Sequence, residues 1–174
     1  MQINALDRID RTRAEWAREE PDLDTSPMEV IGRVLRVAHL ADARIRPVLR
    51  RAGLDRGAFD VLATLRRVGH PYRLTPTALY QELVLTSGAV THRVDALAGA
   101  GLVERVPDSH DRRSSLVALT ARGRAVVDDA MAAHMRCEAE MIAAMSGDSR
   151  RALAVLLRHL LLDMETHGME EQHE

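Results

Sequence analysis

The sequence predicts a mainly α-helical fold with one small β-wing, and three observations carry that prediction. Ala and Leu supply 47 of the 80 apolar residues, against four aromatics (Trp16, Phe59, Tyr72 and Tyr80) in 174 residues, a balance that suits helices packed through aliphatic faces. Apolar side chains recur at spacings of three and four through most of the chain, which is the helical period. The exception lies between Val103 and Leu119, where two short strand-like runs, Val103 to Val106 and Ser115 to Leu119, flank the polar stretch Pro107 to Ser114 and read as a hairpin.

The first amphipathic segment, Asn4 to Glu19, aligns Leu6, Ile9, Arg13, Trp16 and Ala17 and stops before Pro21. Ser26-Pro27-Met28-Glu29 then reads as an N-cap Ser, a Pro at the first helical position and a Glu three residues after the cap, a capping box. It predicts a long helix that carries Val30, Val34, Leu35, Ala38, Ala41, Ile45, Val48 and Leu49 to Gly53, with a kink at Pro47. A further helix runs from Asp55 to Val68 and stops at Gly69. After an extended tripeptide, Tyr72-Arg73-Leu74, the pair Thr75-Pro76 starts a short helix through Leu83. Thr86-Ser87-Gly88 caps the next one, with Val90, Val94 and Leu97 inward and Gly101 at its end. Beyond the hairpin, Thr120 caps a long helix to about Met145. A last helix from Ser149 to about His167 gathers Leu153, Leu156, Leu157, Leu160 and Met164 on one face.

Several functional classes drop out. The lone Cys137 supports neither an intramolecular disulfide nor a thiolate zinc cluster, and nothing resembles a signal peptide, so a cytoplasmic setting is expected. The wholly apolar runs are a few residues long, far short of the roughly 20 that a membrane span needs. No phosphate loop, Gly-x-Ser-x-Gly turn or His-Glu-x-x-His occurs, so no catalytic residues, metal site or cofactor are expected. His134 and Cys137 lie three apart on one helix face with Glu138 and His159 further on, but without a ligand cluster around them.

Helix, turn, helix and a hairpin with a basic tip, in that order, describe a winged helix-turn-helix. Its second helix fits a major groove and presents its N-terminal side chains to base edges. Here those are Thr86, Ser87, Gly88, Ala89, Thr91, His92 and Arg93. The hairpin tip adds His110, Arg112 and Arg113, and arginine suits a narrow minor groove. The net charge of −2 weighs against a nucleic-acid partner only until it is divided. Residues 1–32 carry 4 Arg against 8 acids and 125–174 carry 4 against 10, while 33–72 carry 9 against 3 and 73–124 carry 7 against 5. The positive surplus falls on the reading head and its support. The whole chain reads as a single domain, 1–174, with N-terminal helices to residue 54, the winged helix over 55–124 and C-terminal helices over 125–174.

Several segments carry a family likeness. Leu85-Thr86-Ser87-Gly88-Ala89-Val90-Thr91-His92-Arg93-Val94-Asp95, Gly101-Leu102-Val103-Glu104-Arg105, Asp111-Arg112-Arg113 and Leu119-Thr120-Ala121-Arg122-Gly123 resemble the MarR family of transcriptional regulators, over roughly residues 30 to 165. The resemblance implies a homodimer whose N- and C-terminal helices interlock, each protomer bringing one winged helix to half of a palindromic operator in double-stranded DNA. Trp16 on the extra N-terminal helix, Pro21 to Glu29, and Phe59-Asp60-Val61-Leu62-Ala63-Thr64-Leu65-Arg66-Arg67 resemble the urate-responsive branch, whose members bind an anionic purine and release DNA. Its ligand and signalling positions carry over as Trp16, Asp60, Arg67 and Arg93.

Their chemistry suits that role. Asp60 and Arg67 lie seven apart, two turns along one helix face. An indole with guanidinium groups stacks on and hydrogen-bonds a flat anion, and an Asp partner would fix the orientation of Arg93. The function expected is a ligand-attenuated repressor. Other readings are a regulator responding to a different anion, such as an aconitate-like carboxylate or a phenolic compound, a helical enzyme built from residues such as His134, Glu138 and His159, and a partner-binding scaffold.

Overall fold

The computed structural model describes residues 5–83, 87–108 and 115–170. It is mostly helical with a three-stranded antiparallel sheet. The helices are α1 (Arg8–Glu19), α2 (Ile31–Arg51), α3 (Arg56–Arg67), α4 (Pro76–Leu83), α5 (Ser87–Gly99), α6 (Ala121–Met141) and α7 (Gly147–Glu170). The strands are β1 (Arg73–Leu74), β2 (Val103–Pro107) and β3 (Ser115–Leu119). The chain divides into two compact units, Met1–His134 and Met135–Glu174.

In the first unit the helix starts follow the predicted caps in part. Asp55 accepts from the Ala58 amide at 2.7 Å, Thr75 from Ala78 at 3.1 Å and Thr120 from Gly123 at 2.9 Å, so each satisfies one orphan N–H of its helix. The capping box read at Ser26 does not form. Residues Ser26–Glu29 make a 3₁₀ turn instead, the Ser26 hydroxyl bonds Asp24, and the Glu29 carboxylate pairs with Arg13 of α1. A long-range guanidinium outcompetes the local amide for Glu29, and α2 starts only at Ile31. The true capping box lies at α1. Asp7 accepts from the amides of Ile9 and Asp10, and Asp10 accepts from the Asp7 amide. Arg33 of α2 bridges both carboxylates at 2.7 and 2.5 Å and ties α1 to α2.

The core of this unit joins Phe59, Val61, Leu62 and Leu65 of α3, Leu79 of α4, Val90, Val94 and Leu97 of α5, the strands, and Ile45 and Leu49 of α2. Strand β3 lies between β1 and β2, with Val117 opposite Leu74 and Arg105. Its Leu116-Val117-Ala118-Leu119 run is buried throughout, as a central strand covered on both faces requires. Tyr72 is not extended as its sequence suggests. It adopts φ 57°, and its ring lies 5.1 Å below the guanidinium carbons of both Arg66 and Arg124. Arg66 in turn donates to Asp128 at 2.7 Å, which raises the guanidinium pKa and pins the end of α3 to α6. Helix α6 begins against the hairpin: Gly123 lies so close to Leu102 that a side-chain carbon there would overlap its backbone carbonyl.

In the second unit, α7 follows a turn in which the Ser146 hydroxyl accepts from the Ser149 amide at 3.2 Å and Arg150 donates to the Met145 carbonyl at 3.1 Å. Helix α6 ends at Met141, earlier than its pattern suggests, in turns closed by Ala143 and Met145. Leu153, Val155, Leu156, Leu157, Leu161, Leu162 and Met164 of α7 are all exposed. Among the described residues no helix is long and apolar enough to cross a membrane.

Candidate DNA-reading helix and ligand cleft

Helix α5 sorts its residues by face. Val90, Val94 and Leu97 are 2%, 1% and 4% exposed and anchor it in the core, while Gly88, just before them, and Thr91 and His92, between them, face outward. The helix thus presents an N-terminal polar edge with small side chains, the shape that reaches base edges or phosphates. Asp95 on the outer face would repel a phosphate, but Arg105 of β2 donates to it at 2.9 Å and masks its charge. Thr86, His110, Arg112 and Arg113 lie outside the described residues, as do the side chains of Ser87 and Ala89.

Arg93 does not share that outer face. It is half-buried, and its guanidinium packs against Gly57 in the first turn of α3, where a side-chain carbon would stand 2.6 Å from Cζ. A larger residue at 57 would push the guanidinium off this seat. The Arg93 Nη1 is buried without a hydrogen-bond partner among the described residues, a position that costs on the order of 1–3 kcal/mol and gives it much to gain from an acceptor. The expected link from Asp60 to Arg93 is not what the structure shows. Asp60 accepts instead from Nε of Arg56 at 3.1 and 3.3 Å, because an Arg one turn away on the same helix reaches it without crossing to α5.

A cleft of about 320 Å³ opens between α3, α4 and α6. It is lined by Asp60, Ala63, Thr64, Arg67, Glu82, Leu83 and Met131, and its size suits a small heterocycle. Asp60 and Arg67 therefore meet in one site, as their spacing predicts. Trp16, on α1 and 44% exposed, and Arg93 do not line it. Arg67 is already engaged by the Glu82 carboxylate. His134 is buried and stacks on Phe59 with centroids 5.0 Å apart, which accounts for it as a core histidine. Among the described residues no group of three His, Cys, Asp or Glu side chains is placed to hold a metal.

Known proteins resemble both the sequence and this geometry. A sequence model of the MarR family matches residues 52–114. The HTH-type transcriptional regulator PecS of Dickeya dadantii is 36% identical over 143 residues, covering 82% of this chain and 86% of PecS. The chain belongs to the MarR family. Among MarR-family structures, a mutant Escherichia coli MarR complexed with operator DNA superposes with a TM-score of 0.66 at 28% identity, over 77% of this chain and 96% of that one. BpsR of Bordetella bronchiseptica, whose DNA binding is regulated by 6-hydroxynicotinic acid, gives 0.65 at 25% identity, over 76% and 94%. The protein is thus a MarR-family transcriptional regulator.

Three residues that matter to this MarR-family site escape sequence reasoning. Gly57 reads as an ordinary helix-start glycine until Arg93 is seen above it. Arg56 is legible in principle, since an i, i+4 pair with Asp60 is a local signal. Glu82 has no local signal at all, because it meets Arg67 only once α4 has packed on α3.

Proposed function

We propose that the protein acts as a cytoplasmic homodimeric repressor of a palindromic operator, and that a small planar anion such as urate or a related purine attenuates its operator binding. The observation that carries this reading is the outer face of α5, where Gly88, Thr91 and His92 stand clear of a helix whose other face is sealed in the core. The wing residues His110, Arg112 and Arg113 join it on the sequence argument, with Thr86, Ser87 and Ala89 at the start of the helix. The likeness to MarR complexed with operator DNA supports the DNA partner. BpsR supports the class of ligand, because its effector is a flat heteroaromatic acid. We read the chain as one functional domain, 1–174, whose N- and C-terminal helices dimerise.

In this reading the ligand enters the cleft beside Asp60 and Arg67, and Trp16 and Arg93 complete its signalling. Its negative charge displaces the Asp60 carboxylate. The turn of α3 that holds Asp60 on Arg56 also carries Gly57, the seat of Arg93. A shift there moves the recognition helix through its own side chain and takes the two reading heads of a dimer out of register with successive grooves. A gel-shift titration on the divergent promoter region beside the gene, with and without urate, xanthine and aconitate, tests this. The expected result is sequence-specific binding that weakens with salt and is released by at least one of the planar ligands. An Asp60→Asn variant should lose most of that release while still shifting the operator. Full ligand response in that variant would contradict the mechanism, and binding no tighter than to random DNA would contradict the function.

A further inference from the structure

Glu82 is the one charged residue of the cleft to which the mechanism above gives no part. It belongs to α4, its carboxylate holds Arg67 of α3, and it shares the opening with Asp60. The lining carries the Asp60 and Glu82 carboxylates and the Arg67 guanidinium, with Asp60 held by Arg56 beside the cleft and Ala63, Leu83 and Met131 as its apolar part. Ionised carboxylates only accept hydrogen bonds, whereas a guanidinium only donates. A ligand whose polar edge is all acceptors, such as a tricarboxylate, satisfies Arg67 but brings like charge and no donor to Glu82. A flat heterocycle whose edge alternates ring N–H with C=O offers acceptors to Arg67 and a donor to Glu82.

We propose that Glu82 is the specificity-determining residue of this cleft: it holds Arg67 and selects a ligand with ring N–H donors beside its acceptors, a cyclic imide or ureide, over polycarboxylates. This rests on the ligand-attenuated reading above and narrows its chemistry. The discrimination is modest because Arg67 and Glu82 are both about half exposed. Exposed charge contacts are worth about 0.2–1 kcal/mol each, so a donor gained and a repulsion avoided at Glu82 together amount to roughly tenfold.

Calorimetric titration of the full-length protein with xanthine and with aconitate tests the assignment, using wild type, Glu82→Gln and Glu82→Asp. The wild type should bind xanthine about tenfold tighter than aconitate. Glu82→Gln, whose amide relieves the repulsion and adds a donor, should lower that ratio to near one, while Glu82→Asp keeps it within about threefold of wild type. Circular dichroism verifies that each variant is folded. Aconitate binding to wild type as tightly as xanthine, or a ratio that Glu82→Gln leaves unchanged, overturns the role of Glu82 while sparing the ligand-attenuated reading. If neither compound binds wild-type protein that still shifts its operator, both fall together.

Discussion

The reading head and the terminal helices treat their apolar residues in opposite ways. In the head, Val90, Val94, Leu97 and Val117 are sealed and every helix start described there is capped or packed. In α7, Leu157 and Leu161, one turn apart on one face, are 41% and 56% exposed, and in α2 Val37 and Leu40 are 64% and 47% exposed at a spacing of three. Scattered exposed leucines are ordinary, whereas faces this apolar on long helices mark an interaction surface. The head is sealed within one chain, whereas the terminal helices leave apolar side chains exposed in it. In the proposed homodimer those side chains meet the same pair of helices on a second copy.

The largest expected effect breaks that division of labour directly. Leu157→Asp with Leu161→Asp should convert the dimer into a monomer, seen by sedimentation, and weaken binding to a full operator by about 10²–10⁴-fold as the second head becomes a separate binding event. The helical signal of the head should persist. Gly123→Ala attacks the other region. Its new side-chain carbon overlaps the Leu102 carbonyl, and overpacking of this kind costs about 1–3 kcal/mol or more. The expected loss in Tm is about 3–10 °C, with the dimer retained below the transition. The smallest effect concerns the edge of the terminal region. The Asp10 amide, and after it the Arg33 guanidinium, hold the Asp7 carboxyl below its ordinary 3.8. Its contribution to docking α1 is therefore complete at neutral pH and is lost as pH falls through that lowered value. Asp7→Asn should loosen α1 at pH 7, reported by the fluorescence of Trp16, the single tryptophan. The difference from wild type should close in acid.

What the sequence made legible follows the same division. Within the head, local chemistry decides: Asp55, Thr75 and Thr120 cap where their spacing says they do, and the alternation of Val90, Val94 and Leu97 fixes which side of α5 faces out. The misreadings arise where a distant charge takes a residue away from its local partner. Glu29 leaves the Ser26 cap for Arg13, and Tyr72 turns to φ 57° with its ring 5.1 Å from the guanidinium carbons of Arg66 and Arg124. The reverse happens at Asp60, where the neighbour Arg56 wins over the more distant Arg93. The cleft was half legible. Asp60 and Arg67 share a helix face and so a site, whereas Glu82 and Gly57 acquire their meaning only from the packing of α4 and α5 against α3.

The central claim is that two completed heads act through one completed interface. The most direct test compares affinity for the full palindromic operator with affinity for a single half-site of the same sequence, with stoichiometry measured at saturation. The account predicts two protomers per full site and binding at least 100-fold tighter than to the half-site. One protomer per site, with equal affinity for the two DNAs, would contradict it.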